Sequence, residues 1–242
     1  MKLDVLAFAA HPDDVELGCS GTLLVEKLAG RKTGIIDLTR GELSTRGTTG
    51  EREAEAAAAS AVLQLDIREN LGMKDGFFRN DEEHQMQVIT IIRKYRPEII
   101  ICNAPEDRHP DHGRASSLVS DAAFLAGLRK INTVCEGRDQ EHWRPKYVFH
   151  YIQDRYLQPN FVIDISKVVE AKKKAIQCFV SQFHNPGSSE PETYISRPNF
   201  LDTIIDRDKM FGKIIGVAYG EGFISKKMIG FPDLNSLIKF TT

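Results

Sequence analysis

The chain has 242 residues, 41% hydrophobic and 27% charged, enough apolar material to bury a sizeable core without disulfide staples. Its 32 basic and 34 acidic residues leave a net charge of −2, which excludes the basic footprint of a nucleic-acid binder or of a protein drawn to anionic membranes. No apolar run approaches the ~20 residues of a membrane span, and the N-terminus turns charged too soon for a signal peptide. The four cysteines, at 19, 102, 135 and 178, form no C-x-x-C, so reduced core thiols and a cytoplasmic location are expected.

Residues 3–10, LDVLAFAA, read as a buried strand. A helix is expected from about Gly18 to Leu28, closed by Gly30, then a second strand at 33–39. A polar loop over 41–50 leads into an alanine-rich helix at 51–65, whose residue types have high helix propensity. IRENLG reads as a short strand. The helix predicted at 81–95 begins acidic and ends basic, matching the helix dipole. PEIIICN, at 97–103, is the clearest buried strand, followed by the loop APEDRHPDH and a helix beginning at Gly113. KYVFHYI and NFVIDI are further strands. A helix spans 166–183 with Ser166 as its N-cap, residues 184–199 form a long loop, and a last helix and GVAYGEGF close the chain. Strands alternating with helices predict an α/β fold, a mostly parallel sheet covered on both faces, in one domain over 1–242.

Two of these strands run into nearly the same tetrapeptide, HPDD at His11–Asp14 and HPDH at His109–His112. In open parallel sheets, functional groups gather beyond the carboxyl ends of strands. If the two strands are neighbours, three imidazoles and three carboxylates share one crevice. A divalent cation there would relieve the repulsion between Asp13 and Asp14. His11 and Asp14, three apart, project the same way, His112 adds a third ligand, and Asp13 is left free to work as a base. Two His and one carboxylate suit a catalytic zinc. Fe(II) uses the same ligand types, so the metal stays open between these and other divalent ions. Arg52 and Arg108 stand beside the clusters and are candidate substrate contacts, since a guanidinium fork suits a carboxylate. Glu42 and Arg46 lie in a loop able to line the crevice. His84 falls in an amphipathic helix and reads as a surface residue, while His142, His150 and His184 lack a partner in sequence and read as structural.

The motifs AHPDD at 10–14 and HPDH at 109–112, with GE at 41–42 and ER..E at 51–55, resemble the LmbE-like (PIG-L) N-acetylglucosamine deacetylases. The resemblance runs over the whole chain and implies a Rossmann-like three-layer fold and a zinc-dependent hydrolase of a linear amide. It implies His11, Asp14 and His112 as zinc ligands, Asp13 as general base, and His109 as the imidazole that stabilises the oxyanion and helps the amine leave. Asp111 would orient His109, and Tyr194 resembles a family tyrosine that reaches the site. SQF, ETYISRPNFL, DR and YGEGF resemble the bacillithiol-pathway branch, which deacetylates N-acetylglucosaminyl malate. The resemblance also implies a homo-oligomer and a small aminosugar conjugate as the partner. Three rival readings stand beside the malate one: another N-acetylated aminosugar such as a chitooligosaccharide as substrate, a metal-binding protein without catalysis, and a nucleotide-binding transferase or oxidoreductase. The last lacks its G-x-G-x-x-G loop.

Overall fold

The computed structural model describes residues 1–236. Strand β1 (Val5–Ala9) feeds two short consecutive helices, α1 (Asp14–Gly18) and α2 (Ser20–Leu28). Then follow β2 (Thr33–Thr39), α3 (Thr49–Leu63), β3 (Ile67–Met73), α4 (Glu82–Tyr95), β4 (Ile99–Cys102) and α5 (Pro110–Leu125). A small hairpin, β5 (Val134–Cys135) and β6 (Arg138–Asp139), precedes β7 (Tyr147–Tyr151) and β8 (Phe161–Asp164). Helices α6 (Val169–Gln177) and α7 (Phe200–Ile214) and strand β9 (Gly220–Ser225) complete the described chain.

Seven strands form one sheet in the order β3-β2-β1-β4-β7-β9-β8. β3, β2, β1, β4 and β7 pair in parallel, and β9 lies antiparallel between β7 and β8. The chain winds outward from β1 through β2 and β3, then returns to place β4 on the other side of β1, with Val5 opposite Ile99 and Ala7 opposite Ile101. The strand order therefore reverses between β1 and β4, where α/β sheets open a crevice.

Both faces of the sheet are covered, which explains why β1 is apolar at every position. Leu6, Phe8 and Ala10 pack with Ile36, Ile100 and residues of α4 and α5 such as Ile92 and Leu118. Val5, Ala7 and Ala9 face the other way, against Val15, Leu23 and Ala175 of α1, α2 and α6. Among the described residues no helix is long and apolar enough to cross a membrane.

Both helices beyond the HPD motifs start earlier than the sequence predicts. The first begins at Asp14 rather than Gly18 and breaks at Cys19, and the second begins at Pro110 rather than Gly113. Proline at the first helical position, where its missing N–H costs nothing, accounts for the second. The predicted N-cap at Ser166 is not made. The Ser166 hydroxyl and amide both donate to Asp164 Oδ1, at 2.6 and 2.9 Å, so the helix begins at Val169, and it ends at Gln177 instead of 183.

Gly18 is required by packing. A Cβ there would run into the ring of Tyr151, which is fully buried. Gly18→Ala is expected to destabilise the fold by about 1–3 kcal/mol, the usual cost of overpacking a rigid core, read as a lower urea midpoint at constant slope.

Candidate active site

The ends of β1 and β4 bring both HPD motifs to one cleft of about 230 Å³. Its lining includes His11, Asp13, Asp14, Arg52, Asp75, Arg108, His109, His112 and Gln153. The motifs meet their helices in different registers. In the first, Asp13 is the N-cap and Asp14 the first helical residue. In the second, His109 is the N-cap, and its Nδ1 accepts from the Asp111 amide at 3.3 Å. Near-identical tetrapeptides thus present different atoms to the cleft.

Asp13 has φ 124°, a region costly for a residue with a side chain. Its carboxylate makes no cap bond to the helix. It accepts instead from Arg52 Nη2 at 2.7 Å. Burial pushes the Asp13 carboxyl up, and Arg52 opposes that shift.

Asp14 lies at the centre. Its Oδ1 is 3.1 Å from His112 Nε2 and its Oδ2 is 3.6 Å from His11 Nδ1. The far nitrogens of both rings point at other carboxylates. His11 donates through Nε2 to Asp75 Oδ1 at 3.0 Å, with Asp111 Oδ2 at 3.4 Å, and His112 donates through Nδ1 to Asp107 Oδ2 at 2.7 Å. Metal-bound histidines characteristically give their remote N–H to a carboxylate, which fixes the tautomer and aims the near lone pair at the metal. The rings of His11 and His109 lie 4.7 Å apart, and His11, His109 and His112 hold ligand atoms within 4.8 Å of one another.

The electrostatics agree with a cation site. Burial disfavours the protonated form of His11, yet Asp111, Asp14 and Asp75 outweigh it and hold the ring well above its ordinary value. His112 is likewise disfavoured by burial but raised by Asp14 and Asp107 to about 9. The carboxylates thus demand positive charge where a divalent ion would supply it, and the donor set of His11, Asp14 and His112 fits one. His109 shifts the other way, lowered by burial and then by the facing His11 and His112.

Several sequence expectations need correction. Asp111 does not orient His109 through its carboxylate. That group is fully buried, accepts from Gly76 N at 2.9 Å, pairs with Arg114 Nη1 at 2.5 Å and lies beside His11, so only the Asp111 backbone touches His109. Arg52 is not a free anion clamp, because it is buried and spent on Asp13. Its Nη1 also reaches the Gly41 carbonyl at 3.5 Å, and a Cβ on Gly41 would collide with the guanidinium, which ties GE at 41–42 to ER at 51–52. Tyr194 is outside the cleft lining, and its hydroxyl donates to Asp154 Oδ1 at 2.9 Å. Arg108 is at the mouth, bound through Nε to Asp154 Oδ2 at 2.6 Å and stacked 4.5 Å from the Tyr194 ring centroid. Glu42 and Arg46 are outside the cleft lining: Glu42 accepts from the Asp75 amide, and Arg46 is tied to the Ser181 carbonyl.

Four site residues escaped the sequence reading: Asp75, Asp107, Asn103 and Gln153. Asp107 stands in the quoted loop APEDRHPDH, and Asn103 is the last residue of the predicted strand, so position alone pointed at these two. Asp75 and Gln153 carry no motif. His150 is buried with its Nδ1 3.0 Å from the Asn103 carbonyl, and burial lowers it to about 4, in keeping with a structural role.

Comparison with known proteins places these features in a family. Residues 6–123 match the profile described as PIG-L, GlcNAc-PI de-N-acetylase. The diacetylchitobiose deacetylase of Thermococcus kodakarensis is 30% identical over 232 residues, covering 90% of this chain and 81% of that one. A conserved protein of Thermus thermophilus of known structure superposes with a TM-score of 0.84 at 37% identity, covering 95% of this chain and 98% of that one. A more distant relative, the 4-oxalmesaconate hydratase of Pseudomonas putida, is 26% identical over 148 residues, 60% of this chain and 56% of that one.

Proposed function

The chain belongs to the PIG-L (LmbE-like) family, whose named activity is de-N-acetylation, and we propose that it is a zinc-dependent amidohydrolase that removes acetate from an N-acetylglucosamine conjugate. The observation that carries this reading is the arrangement around Asp14. Two imidazoles turn their near nitrogens to it, two sets of carboxylates hold their far nitrogens, and a carboxyl base candidate stands next in sequence, pinned by an arginine.

His11 Nδ1, Asp14 and His112 Nε2 would hold the metal. When bound, it supplies Lewis acidity, polarising the amide carbonyl and making water a better nucleophile at neutral pH. Asp13 takes the proton of the attacking water, with its carboxylate direction set by Arg52. His109 stands beside His11 and His112. Because its Nδ1 accepts from Asp111 N, the neutral ring carries its proton on Nε2 and donates a hydrogen bond through it to the amide oxygen as negative charge develops there, keeping the proton. The proton collected by Asp13 leaves with the amine. Acetate and a free 2-amino sugar balance the water consumed.

For the aglycone, the Thermococcus relative favours a second neutral sugar, as in diacetylchitobiose. The malate conjugate is the second reading. Its support in the structure is Arg108, whose guanidinium, among the described residues, hydrogen-bonds only through Nε and lies at the mouth of the cleft. Amine release from diacetylchitobiose and from N-acetylglucosaminyl malate, assayed side by side, separates them. If malate is the aglycone, Arg108→Ala is expected to lower kcat/KM on that substrate about ten- to a hundredfold and to spare diacetylchitobiose, the worth of one charge-assisted hydrogen bond. Release of amine from neither substrate, with hydration of an unsaturated dicarboxylic acid instead, would overturn the deacetylase reading.

A further inference from the structure

Asp14 is held by more than its two imidazoles. Gln153, two residues past the end of β7, donates from Nε2 to Asp14 Oδ1 at 2.8 Å. Asn103, one residue past the end of β4, donates from Nδ2 to Asp14 Oδ2 at 3.1 Å, and the His11 amide donates to the same oxygen at 3.0 Å. The two carboxamides arrive from neighbouring strands, one on each oxygen of the carboxylate.

Neither looks like filler. Gln153 is 7% exposed and its Oε1 is buried without a partner among the described residues, which leaves half of the carboxamide unsatisfied there. An apolar side chain would suit such a place better unless the bond to Asp14 mattered. That bond also fixes which end is which, since the opposite assignment would set oxygen against oxygen. Asn103 is fully buried and anchored at both ends: its Oδ1 accepts from Ala10 N at 3.0 Å, and its own carbonyl lies 3.0 Å from His150 Nδ1. It therefore joins the end of β1 to the carboxylate that follows it.

We infer that Gln153 and Asn103 are positioning residues that clamp the two oxygens of Asp14 and so set how that carboxylate presents itself to the metal. This rests on the metal-site reading above. On Oδ2 the Asn103 and His11 donors take both lone-pair directions, while on Oδ1 Gln153 takes one, which leaves the other direction of Oδ1 for the ion and keeps the carboxylate from rotating away. The two amides also draw charge from the carboxylate, which leaves a bound metal more electrophilic.

The test uses the purified full chain, stripped and reloaded with zinc or cobalt. Gln153→Met keeps length and burial but donates nothing, and Asn103→Ala removes the other donor. Each is expected to weaken zinc binding about 10- to 100-fold in competition with a chromophoric chelator, and to shift the visible bands of the cobalt-loaded protein. The melting temperature of the metal-free Gln153→Met protein should stay close to that of the parent, which a purely structural role would not allow alongside the loss of metal. Should Asn103→Ala fail to fold, Gln153→Met decides alone. A folded Gln153→Met protein with parental zinc affinity and parental cobalt bands would overturn the clamp while leaving the metal site standing. A parent protein that binds neither ion would overturn the metal site and the clamp with it.

Discussion

Asp13→Asn is expected to lower kcat by about 10²–10⁴, the usual worth of a general base, with the metal retained and the fold intact. The substitution is close to isosteric, and the new amide oxygen can still accept from Arg52 Nη2, the bond that now holds the carboxylate at 2.7 Å. What disappears is the ability to take a proton from water. The costly φ of 124° adds weight to a working role, because a residue held so far from ordinary backbone geometry without capping its own helix is placed for another purpose. Metal content and the circular dichroism spectrum of the variant separate this from collapse of the site. Turnover within a few-fold of the parent would remove Asp13 from the proton path.

The second large effect is expected at Arg52. Arg52→Met removes the cation from a carboxylate that is 4% exposed and stands directly beside Asp14, itself 2% exposed. Breaking a buried pair by deleting one partner typically costs about 3–5 kcal/mol, because the surviving charge stays buried. The loss should appear as a lower denaturant midpoint, together with a fall in kcat, since Asp13 is no longer aimed. Combining Arg52→Met with Asp13→Asn should recover part of the stability, as the double variant leaves no unpaired ion there. Equal stability of the Arg52→Met and parent proteins would mean that the 2.7 Å contact carries no net weight.

The sequence made the centre of the site readable because the residues of each motif are contiguous and each motif follows an apolar run. That the two runs are neighbours was an inference, and the pairing of β1 with β4 bears it out. The surroundings were not readable. Asp75 reaches His11 across 64 positions, and Gln153 reaches Asp14 across 139, so no local pattern links them. Asp111 was misjudged for a related reason. A helix N-terminus turned its amide toward His109 and its carboxylate toward Gly76 and Arg114, a split that spacing alone does not disclose. For the arginines the hidden part was the partner: both stand where the sequence puts them, but Arg52 is paired with Asp13, whereas Arg108 binds Asp154 through Nε and still lines the cleft. The hairpin of β5 and β6 was missed because its turn, Glu136 and Gly137, has positive φ at both residues without the Asn-Gly or Asp-Gly that usually signals it.

The most direct test of a metal-dependent deacetylase is acetate release from diacetylchitobiose and N-acetylglucosaminyl malate by chelator-stripped protein, titrated with zinc. Acetate and free amine should appear in equal amounts on at least one substrate, be absent without metal, and return to a maximum near one zinc per chain, while the His112→Ala protein neither retains the metal nor recovers. Undiminished acetate release from protein shown to be free of metal, or no release from either substrate by the fully loaded protein, would contradict the account.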